Sequence, residues 1–391
     1  MSTLKVNGIQ AVSGTADAIS LTASDKTCTA NITNNLSNRN LIINGSMQIA
    51  QRGTSSTSNG YQTVDRFCHY SGGGTTTWSV GTETSGTVWG LGLRKYLRCT
   101  NTANATAAGN YREITYKIEN RDLMDSGWNV ASTSSKITLS FWVRASVAQV
   151  YYGRIRWMGD SADSNYVFST GSLTADTWTK VTKTIPGKAG KTVNDGGSQP
   201  DDTSLFQLNW SPFQGTDGTA SGVALDQWNT YSGSDKYPDF VTTWGSTNGA
   251  TFDITGVQLE VSDYATDFEN RTYGDELHRC KRYYLQFGAS GMDGDFVISA
   301  SQLASNGDQT RPGIIMNPQL RAVPTMTEFG DGLNIYGSGS VTPVTAISDI
   351  TYNAQSSLLG FNCECADIGD NYEIVTVTNR PNGGVQISAE L

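Results

Sequence analysis

Apolar and polar residues alternate with a period of two in short runs along most of the chain, and this limits the fold more than any other feature. In KITLSFWVRASV, Ile137, Leu139, Phe141, Val143 and Ala145 fall on one face, while Thr138, Ser140, Trp142 and Arg144 fall on the other. Successive side chains of an extended strand point to opposite sides, so the pattern predicts a half-buried strand. QVYYGRIRWM sets Tyr151, Gly153, Ile155 and Trp157 against Arg154 and Arg156. FDITGVQLEV ends with Val257, Leu259 and Val261 alternating with Gln258 and Glu260. Turn signals separate such runs: GGG at 72–74, NDGG at 194–197 and TDGT at 216–219. Many short strands joined by Gly-rich loops predict an all-β fold, a jelly-roll-like β-sandwich of two sheets.

Composition agrees. Charged residues make up 16% of the 391 residues, below the roughly 25% typical of globular proteins. Abundant Gly, Ser, Thr and Asn suit turns and exposed strand faces better than helices. The length fits two or three domains of ~100–200 residues. A net charge of −9 argues against binding nucleic acid, whose phosphates need clustered Lys and Arg, and against anionic membrane surfaces. No apolar run approaches the ~20 residues that span a bilayer. The start, MSTLKVNGIQAVSG, lacks the basic and apolar regions of a secretory signal. The expectation is a soluble protein that reaches the outside, if at all, by another route such as cell lysis.

Six cysteines at 28, 68, 99, 280, 363 and 365 do not form a disulfide framework in a chain this long. Within LGFNCECA, Cys363 and Cys365 would share one strand face with Cα atoms roughly 6.5–7 Å apart. That separation is at the limit of disulfide geometry, so buried thiols are expected.

The first 39 residues hold only brief apolar runs and read as an arm, disordered or ordered by docking on a partner. Leu4 and Val6 would suit a short strand there.

One stretch breaks the pattern: ATDFENRTYGDELHRCKRYY, residues 265–284. Leu277, Cys280, Tyr284 and Phe287 fall at helical spacing, with Arg279, Lys281 and Arg282 mostly between them. TYGD at 272–275 has the form of a capping box with Thr272 as N-cap, although Asp275 would serve too. The spacing predicts one short helix from near 273–276 to near Gly288. After it come strands again: DFVISASQL, YEIVTVTNR and GVQISAEL. The expected organisation is an arm over 1–39, a sandwich over 40–271, a connecting helix over 272–288 and a smaller C-terminal β domain over 289–391.

NLIINGSMQIAQRGTS (40–55) with YQTVDRF (61–67) resembles the opening of a β-sandwich module in bacteriophage tail-fibre and appendage proteins, of marine phages especially. ITGVQLEVSDYATDFENRTYGDELHRCKRYY (254–284) is similar to that module's closing signature, through Gln258-Leu259-Glu260, Ala265-Thr266, Phe268-Glu269, Glu276-Leu277 and Cys280 to Tyr284. LSFWVRAS (139–146) resembles its central strand, and ISAEL is a familiar ending. These blocks bracket residues 40–284. The resemblance implies a jelly-roll-like module, a virion protein and commonly a homotrimer. Physically, Phe268, Tyr283 and Tyr284 would pack the exit segment onto the sandwich. Arg271 or Arg279 would pair with Glu260 or Glu269.

Catalytic motifs are weak. GKAGKT (187–192) lacks the first glycine of a phosphate loop, and VNDGGSQPDD after it cannot open a helix. The two histidines, His69 and His278, have no nucleophile motif beside them, and no His/Cys spacing suggests zinc. Two carboxylates are enough for glycan cleavage, and the GDSAD loop (159–163) would offer such a pair. Loop aspartates more commonly build turns, and the chain lacks the long repeats of a β-helical depolymerase. The span 208–246 is rich in aromatic residues beside aspartates and glycines. Trp210, Trp228, Tyr231 and Trp244 are the candidate sugar-stacking residues, although cores and subunit interfaces use the same side chains. Tyr237 lies in the same span.

The expectation is therefore a non-enzymatic virion appendage with no cofactor and no metal. It would be a homotrimer attached to other virion proteins through its arm and touching a host surface polysaccharide. A capsid-attached fibre or decoration protein is the alternative, and a glycan depolymerase the third reading.

Overall fold

The computed structural model describes residues 8–10, 17–22, 27–30, 39–102, 104–158, 163–191, 206–288, 297–302, 308–337, 340–366, 374–380 and 383–390. In the arm, β1 (Gly8–Gln10), β2 (Asp17–Thr22) and β3 (Thr27–Ala30) form an antiparallel three-stranded sheet. Leu4 and Val6 lie outside the described residues.

Twelve strands build the sandwich. They are β4 (Ser55–Ser56), β5 (Phe67–Gly72), β6 (Thr76–Thr82), β7 (Lys95–Asn101), β8 (Tyr111–Ile118) and β9 (Lys136–Ala145). Then come β10 (Val150–Trp157), β11 (Ser164–Ser172), β12 (Thr179–Pro186), β13 (Phe206–Gln214), β14 (Trp228–Thr230) and β15 (Thr251–Glu260). One sheet runs β14-β11-β10-β13-β8-β5 and the other β12-β9-β15-β7-β6-β4, so each alternates near and distant chain segments. This is a jelly-roll-like arrangement, and the all-β expectation holds. Three helices of four or five residues interrupt the loops: α1 (Thr87–Gly90), α2 (Asn120–Met124) and α3 (Thr243–Ser246).

The alternating faces pack as the sequence implies. Ile137, Leu139, Phe141, Val143 and Ala145 of β9 meet Tyr151, Ile155 and Trp157 of β10 in one core, together with Phe206, Leu208 and Trp210 of β13. Gly153 is required within that face, because a Cβ there would lie 2.3 Å from the Phe168 ring. The β15 pattern changes phase midway. Phe252 and Ile254 point inward, a bulge at Gly256 (φ 59°) follows, and then Val257 and Leu259 point inward. Gln258 and Glu260 are buried as well, because the 266–269 segment covers the outer face of this strand.

The helix α4 (Tyr273–Lys281) has Thr272 as its N-cap, whose Oγ1 accepts from the Asp275 amide at 3.2 Å. It ends at Lys281, seven residues short of the expected end at Gly288. Tyr284–Gly288 is instead β16, paired with β25 (Gly384–Ser388). Tyr284 and Phe287 satisfy helical spacing, but Leu285 and Phe287 also alternate, and both pack on the C-terminal core. A strand partner 100 residues on decided between the two periods.

The C-terminal part holds two sheets. β16, β25 and β20 (Thr325–Phe329) form one. The other runs from β17 (Val297–Gln302) through β24 (Ile374–Asn379), β21 (Leu333–Gly337), β22 (Ser340–Asn353) and β23 (Leu358–Cys365) to β18 (Gln309–Thr310), with β19 (Gly313–Ile315) also on β23. Leu333, Ile335, Leu359, Phe361, Val375 and Ile387 make a separate core. Cys363 and Cys365 are buried in it and form no disulfide.

Two sets of contacts tie these parts together. Asn40 donates its amide to Glu269 at 2.8 Å, and its side-chain oxygen accepts from Ile42 and Leu259 at 3.0 Å each. Arg271 donates to the carbonyls of Asn40 and Ile42 and forms ion pairs with Glu269 and Glu276 at 3.6 Å each. Of the expected partners, Glu269 is thus taken by Arg271, whereas Glu260 pairs with Arg39 and Arg279 with Asp275. Ile43 and Ile49 pack on Cys280 and Tyr283. The second set is centred on Glu390, which pairs with Arg52 at 3.3 Å and with Arg66. The Arg66 guanidinium also stacks 3.4 Å over Tyr283.

Candidate functional site

Residues that point outward from the β14-to-β5 sheet converge on a hollow of about 290 Å³. Register builds it. Arg154 on β10 lies beside Asn209 on β13, which lies beside Thr115 on β8. One row further along, Arg156 neighbours Gln207, and Gln207 neighbours Lys117. Glu113 faces Tyr70 on β5. Gln214 at the end of β13, paired with Tyr111 at the start of β8, and Tyr231 and Lys236 in the loop after β14 complete the wall.

Glu113 organises the floor. Its oxygens accept from Arg154 Nη2 at 3.2 and 3.3 Å, Asn209 Nδ2 at 3.0 Å and the Tyr237 hydroxyl at 2.9 Å. Tyr237 also accepts from Arg154 Nε at 3.1 Å. Burial works against the Arg154 charge, but Glu113 and the two tyrosine hydroxyls, Tyr237 first, more than offset it and raise its pKa. Burial also pushes the Tyr237 hydroxyl well above its ordinary range, with Glu113 adding to the effect. Arg156 donates Nε and Nη2 to Asp163 Oδ2 at 2.9 and 2.5 Å. Burial lowers the pKa of the Lys236 ammonium; Glu113 opposes this, and Arg154 and Arg156 add to it.

The four expected sugar-stacking residues separate. Tyr231 lines the hollow, with the Arg156 guanidinium 4.1 Å from its ring centroid. Trp210 is 1% exposed between the sheets, edge-on to Phe141 at 5.7 Å. Trp244 is fully buried, and its indole donates to the Thr251 carbonyl at 3.0 Å. Neither can offer a ring face to a ligand, so both are corrected to core residues; inward strand parity fixes Trp210 and the α3 turn fixes Trp244. Trp228 is half-buried at the sandwich edge, against Trp157 and Tyr166, and donates to the Pro186 carbonyl at 2.8 Å. That is a packing role.

Sequence reasoning placed Arg154 and Arg156 on one strand face without assigning them a site. The signal was there: two arginines on one face, in a chain short of charge. Lys117, Tyr70, Tyr111 and Lys236 had no local signal, because only strand pairing gathers them.

The remaining motifs resolve as structure. Lys188 donates to Ser164 Oγ at 2.6 Å, and Lys191 is buried with its ammonium 5.8 Å from the Trp157 ring centroid. Thr192 lies outside the described residues, as do residues 159–162 of the GDSAD loop. His69 is buried and stacked on Trp78 at 4.5 Å, whereas His278 is exposed on α4. Among the described residues, no group of three or more His, Cys, Asp or Glu is placed to hold a metal ion.

No family model matches the chain, and no curated protein matches it. Solved structures align with part of the chain. The enzymatically active domain of tailspike protein 4 of bacteriophage CBA120 aligns at 11% identity and a TM-score of 0.30, over 57% of this chain and 22% of the tailspike. This chain thus spans about a fifth of that protein. The N-terminal cellulose-binding domain of β-1,4-glucanase C from Cellulomonas fimi aligns at 13% identity and a TM-score of 0.28, over 56% of this chain and all of that domain. The family 11 carbohydrate-binding module of a cellulosomal cellulase of Clostridium thermocellum aligns at 12% identity and a TM-score of 0.25, over 53% of this chain and 95% of that module. The strand pairing of this chain itself makes the jelly-roll-like sandwich.

Proposed function

We propose that this chain is a non-catalytic phage virion appendage of tail-fibre type, whose sandwich contacts a surface glycan of the host. In this reading residues 1–39 attach a homotrimer to other virion proteins, and the C-terminal β domain is distal. The resemblance of residues 40–55 and 254–284 to phage appendage modules supports the virion assignment. Those two stretches also lie against each other, as the opening and closing segments of one module should.

The observation that carries the binding part is the hollow on the outward sheet face. A sheet face with no binding role needs only solvated polar side chains. This one gathers three tyrosines, four cations and amide groups around a concavity of about 290 Å³. Concave sites with a few convergent polar groups are where small ligands bind. Glu113 already accepts five hydrogen bonds from the protein, which suits a positioning role better than proton transfer.

The test combines location and binding. Gold label directed at the arm should decorate the tails of purified virions, and the purified chain should bind host cells and their extracted surface polysaccharide. Label on tail-less heads without glycan binding would establish a decoration protein instead. Release of reducing ends from the polysaccharide would establish a depolymerase.

A further inference from the structure

The hollow is cationic in an acidic protein. Lys117, Arg154, Arg156 and Lys236 surround it with Glu113 and, at its rim, Asp163, in a chain of net charge −9. Glu113 is committed to Arg154, and Asp163 holds Arg156 through one carboxylate oxygen. Arg154 is 4% exposed, and its Nη1 has no hydrogen-bond partner. The guanidinium is thus fixed beneath the hollow with one nitrogen uncompensated, and its charge favours an anion bound above it.

The tyrosines point the same way. A neutral sugar gains most from stacking on a bare aromatic face. Here the Arg156 guanidinium lies 4.1 Å from the Tyr231 ring centroid, and Lys236 Nζ lies 5.9 Å from that of Tyr111. Cations therefore occupy a face of each ring, and the groups offered to a ligand are guanidinium and ammonium donors. Guanidinium matches the planar fork of a carboxylate or the oxygens of a sulfate.

We infer that the hollow takes an anionic sugar unit, a carboxylate- or sulfate-bearing residue of a glycan, held by Arg156 and Lys236 beside the fixed Arg154. This rests on the glycan-binding reading and names its ligand class. Burial and two neighbouring arginines disfavour the Lys236 charge, and Glu113 only partly offsets them, so an anion bound there relieves a repulsion between cations. The overall negative charge of the chain opposes unspecific attraction to polyanions, so retention would report this site.

Affinity electrophoresis of the full chain tests it, with dextran and galactomannan as neutral polymers, polygalacturonate for carboxylate and dextran sulfate for sulfate. The expected result is retardation by polygalacturonate or dextran sulfate and none by the neutral polymers; which acidic polymer acts identifies the anion. Lys236→Gln and Arg156→Gln should each weaken retention about tenfold, the scale of one charge-assisted hydrogen bond. Lys180→Gln, on the exposed face of the other sheet, should leave it unchanged. Equal retardation by a neutral polymer, with Lys236→Gln silent, overturns the anionic class and leaves the glycan reading standing. Retardation by none of the four overturns the inference, and absence of binding to host polysaccharide as well would remove the glycan reading.

Discussion

The backbone amide of Asn40 donates to Glu269 Oε2 at 2.8 Å, across 229 positions of sequence. Asn40 is 5% exposed, and its side chain makes three further bonds, to Ile42, Leu259 and Val257. Both ends of the sandwich are thereby fixed to β15. Asn40→Ala leaves two amides and a carbonyl unsatisfied and should cost about 2–4 kcal/mol in denaturant unfolding. Arg279→Ala, which removes an exposed pair with Asp275 on α4, should cost less than about 0.5 kcal/mol. Equal losses would show that Asn40 does not hold the two ends of the sandwich together.

Glu390 is the counterpart at the other end of the chain. It neutralises Arg66, which is 1% exposed, and also meets Arg52. Glu390→Gln leaves the buried guanidinium without its anion and should destabilise by about 3 kcal/mol. Because the pair is buried, the loss should persist at high salt. A thermal melt unchanged in the variant would show that the C-terminal strand is not clamped to the sandwich.

His69 makes stability depend on pH. Burial lowers its pKa from 6.5 to about 3, and neither ring nitrogen has a hydrogen-bond partner on another residue. The unfolded chain takes up a proton below pH 6.5, and the folded chain does so only near pH 3. The contribution is therefore fully present above pH 6.5 and is lost as pH falls from 6.5 towards 3. By pH 5 the loss is about 2 kcal/mol. His69→Phe keeps the stack on Trp78 and should remove that slope, measured as unfolding free energy at pH 7 and pH 5. A parallel pH dependence in both proteins would contradict the burial of a neutral imidazole.

Trp210 and Tyr231 should behave oppositely. Trp210→Ala opens a cavity between the sheets and should cost about 3–5 kcal/mol. Tyr231→Ala sits at the rim of the hollow and should change stability by less than about 1 kcal/mol while weakening glycan binding. Denaturant unfolding and polysaccharide binding of the two variants separate these roles.

The fold was legible wherever one residue pattern decided one face. The alternation in β9 and β10 named its inward residues, and TYGD offered Thr272 or Asp275 as the cap, of which the structure takes Thr272. Legibility failed where two periods fit the same residues. Tyr284–Gly288 suits a helix and a strand equally, and pairing with Gly384–Ser388 chose the strand. The site was harder to read for a similar reason. An aromatic residue looks the same in a core and on a binding face, so Trp210 and Trp244 resembled ligand residues until strand parity and the α3 turn placed them inside. Arg154 and Arg156 were visible as a pair, but Glu113, Lys117 and Lys236 join them only through sheet register and loop closure.

Hydroxyl-radical footprinting of the full chain, with and without host surface polysaccharide, tests the binding account most directly. Protection concentrated on Tyr70, Tyr111 and Tyr231 is the predicted result. Protection confined to exposed aromatics elsewhere, such as Trp89, Tyr264 and Tyr273, would contradict it.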